Sequence, residues 1–158
     1  MKLILLCLFL LAGCTSAQNQ QGKASAANTA PTEKLSDRFQ INIERFLDSV
    51  DIERNNYLDE DSIKSKSQLF GVYLQFNNKT SKQEIVSYRE VELVASKKKL
   101  LPFTVINAST KNAVSLDSDV APPKSRLPRI LLFNLPVDTH PSDLVISNQI
   151  HIAIEVAP

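Results

Sequence analysis

The chain has no tryptophan and almost no glycine: after Cys14, Gly22 and Gly71 are the only glycines in 158 residues. Phosphate-cradling loops and dinucleotide folds need glycine where the backbone must approach a phosphate, so both classes are disfavoured. A tryptophan-rich sugar platform is ruled out, leaving Tyr57, Tyr73 and Tyr88 as the aromatic rings that could serve such a surface. Cysteine is limited to Cys7 and Cys14. A disulfide framework and a cysteine-based metal site each need more than that. Long apolar runs are missing too. The most apolar stretch, Leu3 to Ala12, has ten residues, about half of what a membrane-spanning helix requires. Charge of one sign is also lacking. Without the first thirteen residues the chain holds seventeen basic and seventeen acidic side chains. That balance argues against nucleic acid as a partner and against electrostatic adhesion to anionic lipid.

What is present begins at the N-terminus. Met1-Lys2 is a short positive segment, and Leu3–Ala12 has the size of a signal-peptide core. It ends in Leu11-Ala12-Gly13-Cys14, which resembles the bacterial lipobox. The resemblance implies cleavage before Cys14, a diacylglycerol on its thiol and acylation of the new amine. Two or more chains anchor stably where one holds only marginally, so the expected partner here is membrane lipid through acylated Cys14. Cys7 leaves with residues 1–13 and Cys14 is consumed by lipid, so no disulfide is expected. Thr15 stands where an Asp would favour retention in the inner membrane, which favours the outer membrane over the inner in a cell envelope that has both.

Residues 14–37 form the expected lipidated cysteine and linker. The stretch 15–37 is rich in Ala, Ser, Thr, Asn and Gln, with Leu35 its one large apolar residue. Such a composition cannot offset chain entropy, and 23 residues of flexible chain reach about 25–30 Å. Residues 38–158 form the expected domain. Period-2 alternation runs through Phe39, Ile41 and Ile43, through Phe70, Val72, Leu74 and Phe76, and through Ile150, Ile152 and Ile154. "EIVSYREVELVAS" alternates at Val86 and Tyr88 and again at Val91 and Leu93, and "LLPFTVINAS" is rich in β-branched residues. "RILLFNLP" is apolar on both faces, as a central strand should be. Turn residues separate these runs at 77–79, 96–99, 121–123 and 138–143. The pattern predicts an all-β antiparallel sandwich of about seven strands. Residues 51–68 are polar and read as a long loop or a short helix from Asp59.

The stretches "GVYLQFNNKTSKQEIVSYREVELVASKKK" (71–99) and "ILLFNLPVDTHPSDLVIS" (130–147) resemble the immunoglobulin-like, telokin-like domain of small extracellular bacterial lipoproteins of unknown function. Val72, Leu74, Phe76, Asn77 and Asn78 meet the pattern of a strand ending in an Asn turn. Leu132, Phe133, Leu135, Pro136, Asp143 and Leu144 meet the apolar strand, Pro and Asp-Leu pair that follow. The resemblance implies fold and location and brings no catalytic residues. "VAPPKSRLP" departs from the family's glycine-containing turn at 118–128.

Candidate chemistry is sparse. Asp51, Glu53, Asn55 and Asp59 occupy the first, third, fifth and ninth positions of a calcium-loop pattern, but Asn56 replaces its glycine and Ser62 its bidentate glutamate. His140 lies near Asp138 and Asp143 with no nucleophile elbow in the chain. His151, between Ile150 and Ile152, belongs on the solvent face of its strand. Lys97-Lys98-Lys99 could touch lipid head groups or an acidic partner, or simply cap a hairpin. No metal, cofactor or catalytic residue is called for. The expectation is a non-enzymatic interaction module that meets an envelope or secreted protein through a sandwich face or edge strand. The alternatives are a ligand-binding protein or hydrolase whose pocket is built from distant residues, and an accessory that copies a partner's strand.

Overall fold

The computed structural model describes residues 35–64 and 68–154. Cys14, the expected signal peptide and most of the expected linker lie outside the described residues.

The strands are β1 (Phe39–Leu47), β2 (Gln68–Asn78), β3 (Glu84–Val86), β4 (Val91–Ala95), β5 (Lys98–Leu100), β6 (Thr104–Asn107), β7 (Ala113–Val114), β8 (Asp119–Ala121), β9 (Arg126–Leu135), β10 (Pro141–Ile146) and β11 (Ile150–Ala153). Helices are short: α1 (Leu35–Arg38), α2 (Ser49–Arg54) and α3 (Glu60–Lys64), with a 3-10 turn at Tyr88–Glu90. All strand pairs are antiparallel. One sheet has the order β1-β2-β9-β6-β7, another β11-β10-β4-β5, and β3 pairs with β8 apart from both.

The Val86–Tyr88 alternation falls on β3 and the 3-10 turn, and β10 lies in a stretch not marked as a run of its own, but seven strands are four residues or longer, the number expected. Taken in chain order as A to G, they give sheets A-B-E-D and C-F-G, the arrangement of an immunoglobulin sandwich. The four additional strands have two or three residues each, too few to show a period.

The core follows from the alternation. Val72, Leu74 and Phe76 of β2 meet Leu131, Phe133 and Leu135 of β9, Val91 and Leu93 of β4, and Leu144 and Ile146 of β10, all fully or nearly fully buried. Phe76 stacks edge-on against Tyr88 at 5.3 Å and against Phe39 at 6.4 Å. The interior between the sheets is filled by side chains.

β9 is apolar on both faces because both faces are covered. Ile130 and Leu132 point away from the main core and join Leu47, Leu69 and Ile106 in a second cluster. The cover is the polar 49–64 segment. It forms two helices rather than one, and it contributes Ile52, fully buried, and Tyr57. The Asp48 carboxylate caps α2 by accepting from the Asp51 N–H at 2.7 Å. Ser49 Oγ bonds both the N–H and the carbonyl of Leu69, pinning the helix to β2. Gly71 lies beneath: a Cβ there would meet Leu132 Cδ2 and Leu47 Cβ, each at 3.1 Å.

Two boundaries differ from the sequence reading. Packing reaches back at least to Leu35, ahead of the expected start at residue 38: Leu35 is fully buried in the main core and its N–H donates to Glu90 Oε2 at 3.0 Å. The 96–99 turn contracts to Ser96-Lys97, both left-handed with φ 48 and 65, as a two-residue hairpin requires. Lys98 and Lys99 are strand residues of β5.

Candidate functional site

The structure disperses the sequence's candidate ligands. Asp51 and Glu53 lie on α2, Asn55 caps it, and Asp59 precedes α3. Among the described residues no three of His, Cys, Asp and Glu gather where they could hold a metal ion. His140 and Asp138 are exposed on the β9–β10 turn, and Asp143 accepts from Ser142 Oγ at 2.8 Å. His151 is exposed on β11, as its position between two isoleucines predicts, although Ile150 is itself 40% exposed. Lys99 bridges Glu92 at 2.5 Å and Asn148 at 2.7 Å. Lys97 and Lys98 are exposed.

The most coupled polar cluster was not foreseen in the sequence. Tyr88 is fully buried and donates to Asp119 Oδ2 at 2.5 Å. Arg129 Nε donates to Asp119 Oδ2 at 2.7 Å and to the Tyr88 hydroxyl at 3.1 Å, and Nη1 donates to the Pro128 carbonyl at 2.9 Å. Burial, reinforced by Asp119, pushes the Tyr88 phenol well above its ordinary value of 10.0. Burial works against the Arg129 charge, but Asp119 and Tyr88 outweigh it, so the guanidinium is held protonated even more firmly than usual. A neutral, enclosed phenol and a paired guanidinium do not move protons at neutral pH. The cluster ties the 3-10 turn, β8 and β9 together. Tyr88, of the three candidate sugar-stacking tyrosines, is therefore unavailable to a ligand.

Asn78, read as a turn residue, is a second knot. Its Nδ2 donates to the carbonyls of Lys82, Ala121 and Pro122, and its Oδ1 accepts from the N–H and hydroxyl of Thr80.

Two surfaces remain for recognition. The first is the edge of β11, which among the described residues has a strand neighbour only on its β10 side. Ile154 N–H donates to the Ser142 carbonyl at 2.8 Å, which fixes the ladder phase: Ile150 and Ile152 bond toward β10, while His151 and Ala153 turn their N–H and C=O groups outward. Two other edges, β5 and β1, are blunted. β5 carries Lys98 and Lys99, and β1 slips register between Ile43 and Arg45, both known devices against strand addition. No lysine or proline guards β11. The second surface is the outer face of the first sheet beyond the α2–α3 cover. There Gln40 lies opposite Asn77, and Asn42 opposite Gln75.

No protein-family model, curated protein or solved structure matches this chain.

Proposed function

We propose that the chain is a bacterial lipoprotein, acylated on Cys14 and held at the outer membrane. Its immunoglobulin-like sandwich would be a non-enzymatic module that binds an extended segment of another envelope or secreted protein. The observation that carries this reading is the open β11 edge. Two outward N–H and two outward C=O groups sit on a strand that lacks the guards present on β1 and β5. Main-chain bonds at such an edge give affinity, and pockets for alternate side chains give selectivity. The filled interior supports surface binding over a pocket. A depression of about 520 Å³ beside Tyr57 and Lys111 is open, and Lys111 within it is already engaged with the Asn55 carbonyl at 2.9 Å.

Proline tests this selectively. At Ala153 it removes an outward N–H and leaves the β10 ladder intact. A photo-crosslinking residue at His151 should trap a discrete envelope protein in cells, and Ala153→Pro should abolish the adduct without shifting the urea midpoint. An equally strong adduct from position 98, or one that survives Ala153→Pro, would overturn the reading.

A further inference from the structure

Part of the outer face of the first sheet is covered by α2 and α3, and the part around Gln40 and Asn42 has no cover among the described residues. This uncovered part has an unusual makeup. Gln40 and Asn42 of β1 stand directly opposite Asn77 and Gln75 of β2. On the far side β9 sets Arg126 opposite Asn77 and Pro128 opposite Gln75. Cross-strand neighbours lie about 5 Å apart and residues two along a strand about 7 Å apart. Four primary amides therefore occupy one small rectangle. With Lys124 and Arg126 they line a shallow depression of about 340 Å³.

These amides contribute little to the fold. Asparagine is disfavoured in strands, yet two occupy facing strands here. Their one mutual bond is Gln40 Nε2 to Asn42 Oδ1, long at 3.4 Å. Asn77 Oδ1 is buried with no donor among the described residues, an unfavourable state for a polar atom. Each amide offers two N–H groups and an acceptor oxygen, so the rectangle holds a dense array of unused donors and acceptors.

We propose that this face binds an anionic carbohydrate. A primary amide presents an acceptor next to a donor, and a hydroxyl is both, so adjacent hydroxyls on a sugar ring satisfy one amide in two bonds. Main-chain N–H and C=O groups lie in the plane of a sheet rather than on its face, and those of β2 are taken up in ladders with β1 and β9, so a ligand on this face is held by side chains. That separates this face from the β11 edge, where a protein strand would add. Charge selects the acid. No carboxylate lines the depression among the described residues. The Lys124 ammonium is turned to the Lys79 carbonyl, whereas Arg126 is exposed and without a partner among the described residues. A free guanidinium fork fits a carboxylate in two parallel bonds. One rung further along, Tyr73 carries the Arg45 guanidinium at 5.9 Å from its ring. It extends the strip with an aromatic face and a second cation, enough length for a short oligosaccharide.

The site is on the sheet opposite β11, so its test is independent of the protein-binding reading. Full-length protein in a sugar-free detergent is titrated calorimetrically with tri-galacturonate, with maltotriose and with an oligoglutamate of equal charge. Tri-galacturonate should bind measurably and the other two at least about tenfold more weakly. Gln75→Ala and Asn42→Ala should each weaken it about three- to tenfold, the worth of one or two hydrogen bonds. Arg126→Gln should erase the preference over maltotriose, and Lys98→Gln on the other sheet should change nothing. Oligoglutamate binding as tightly as the sugar acid would overturn the proposal, as would a tri-galacturonate affinity unchanged in Gln75→Ala or absent altogether.

Discussion

Replacing Asn78 by aspartate exchanges one NH₂ for an oxygen and should cost more than deleting the side chain outright. The Asn78 amide nitrogen faces three carbonyls, of Lys82 at 2.9 Å, Ala121 at 3.2 Å and Pro122 at 2.9 Å. Its two hydrogens serve all three, and its oxygen accepts from Thr80 N–H at 2.8 Å and Thr80 Oγ at 2.9 Å. These five contacts share two hydrogens and two lone pairs, so they amount to about four neutral hydrogen bonds at roughly 1 kcal/mol each. All but the Ala121 bond are within partial reach of water, which recovers some of the loss. Asn78→Ala should therefore destabilise by about 2–4 kcal/mol. In Asn78→Asp the Thr80 bonds persist, but an ionised oxygen points at three carbonyls from a residue only 3% exposed, and at pH 7 the loss should exceed that of alanine. The pH dependence carries the proof. The neutral acid can donate one bond and the ion none, so folding raises the pKa of the new carboxyl. Its contribution is present below the unfolded value of about 4 and is lost as pH rises through the folded one. The aspartate variant should thus recover relative to alanine between pH 7 and pH 4. Urea unfolding followed by circular dichroism at both pH values measures it. An aspartate variant more stable than alanine at pH 7, or a gap that does not narrow in acid, would refute the assignment of Asn78 as a donor knot.

Three further outcomes are expected. Tyr88→Phe removes the hydroxyl from Asp119 and Arg129 but leaves their ion pair, costing about 1–2 kcal/mol at pH 7. Because the buried phenol titrates above its ordinary 10.0, wild-type stability should decline as pH rises past about 10, and the phenylalanine variant should lose that share of the decline in alkaline urea titrations. Gly71→Ala presses a methyl to 3.1 Å from Leu47 Cβ and Leu132 Cδ2 and should destabilise by about 1–3 kcal/mol. Combining it with Leu47→Ala should then cost less than the sum of the two single changes, measured by a double-mutant cycle in urea. Cys14→Ala should move the protein from the detergent to the aqueous phase on cloud-point partitioning, and an unshifted distribution would dismiss the acyl anchor.

Elements whose period exceeds their noise were legible from composition alone. β2 alternates cleanly over Phe70, Val72, Leu74 and Phe76, and β9 is apolar on both faces because it is central in its sheet and covered by helices. The helical cover was not legible, because among the described residues Ile52 and Tyr57 are its only buried anchors within a charged segment. Leu35 was hidden similarly, as one apolar residue after a polar stretch. The Tyr88–Asp119–Arg129 cluster joins residues 31 and 10 positions apart, a closure that no local pattern announces. For the amide face all four letters were visible. Their convergence depends on the register of β1 against β2, and that register slips at Glu44. The open β11 edge likewise depends on strand order rather than on any one strand.

Leu35 is the first described residue and already sits at zero exposure, with its N–H held by Glu90. Any tension arriving along the backbone from that side meets no slack. It acts on a rivet inside the sandwich and then lengthwise along β1, whose eight paired positions with β2 share the load. Rungs pulled lengthwise must yield together, whereas rungs peeled sideways yield singly. Pulled from this side, the domain should resist unfolding far better than its modest size suggests.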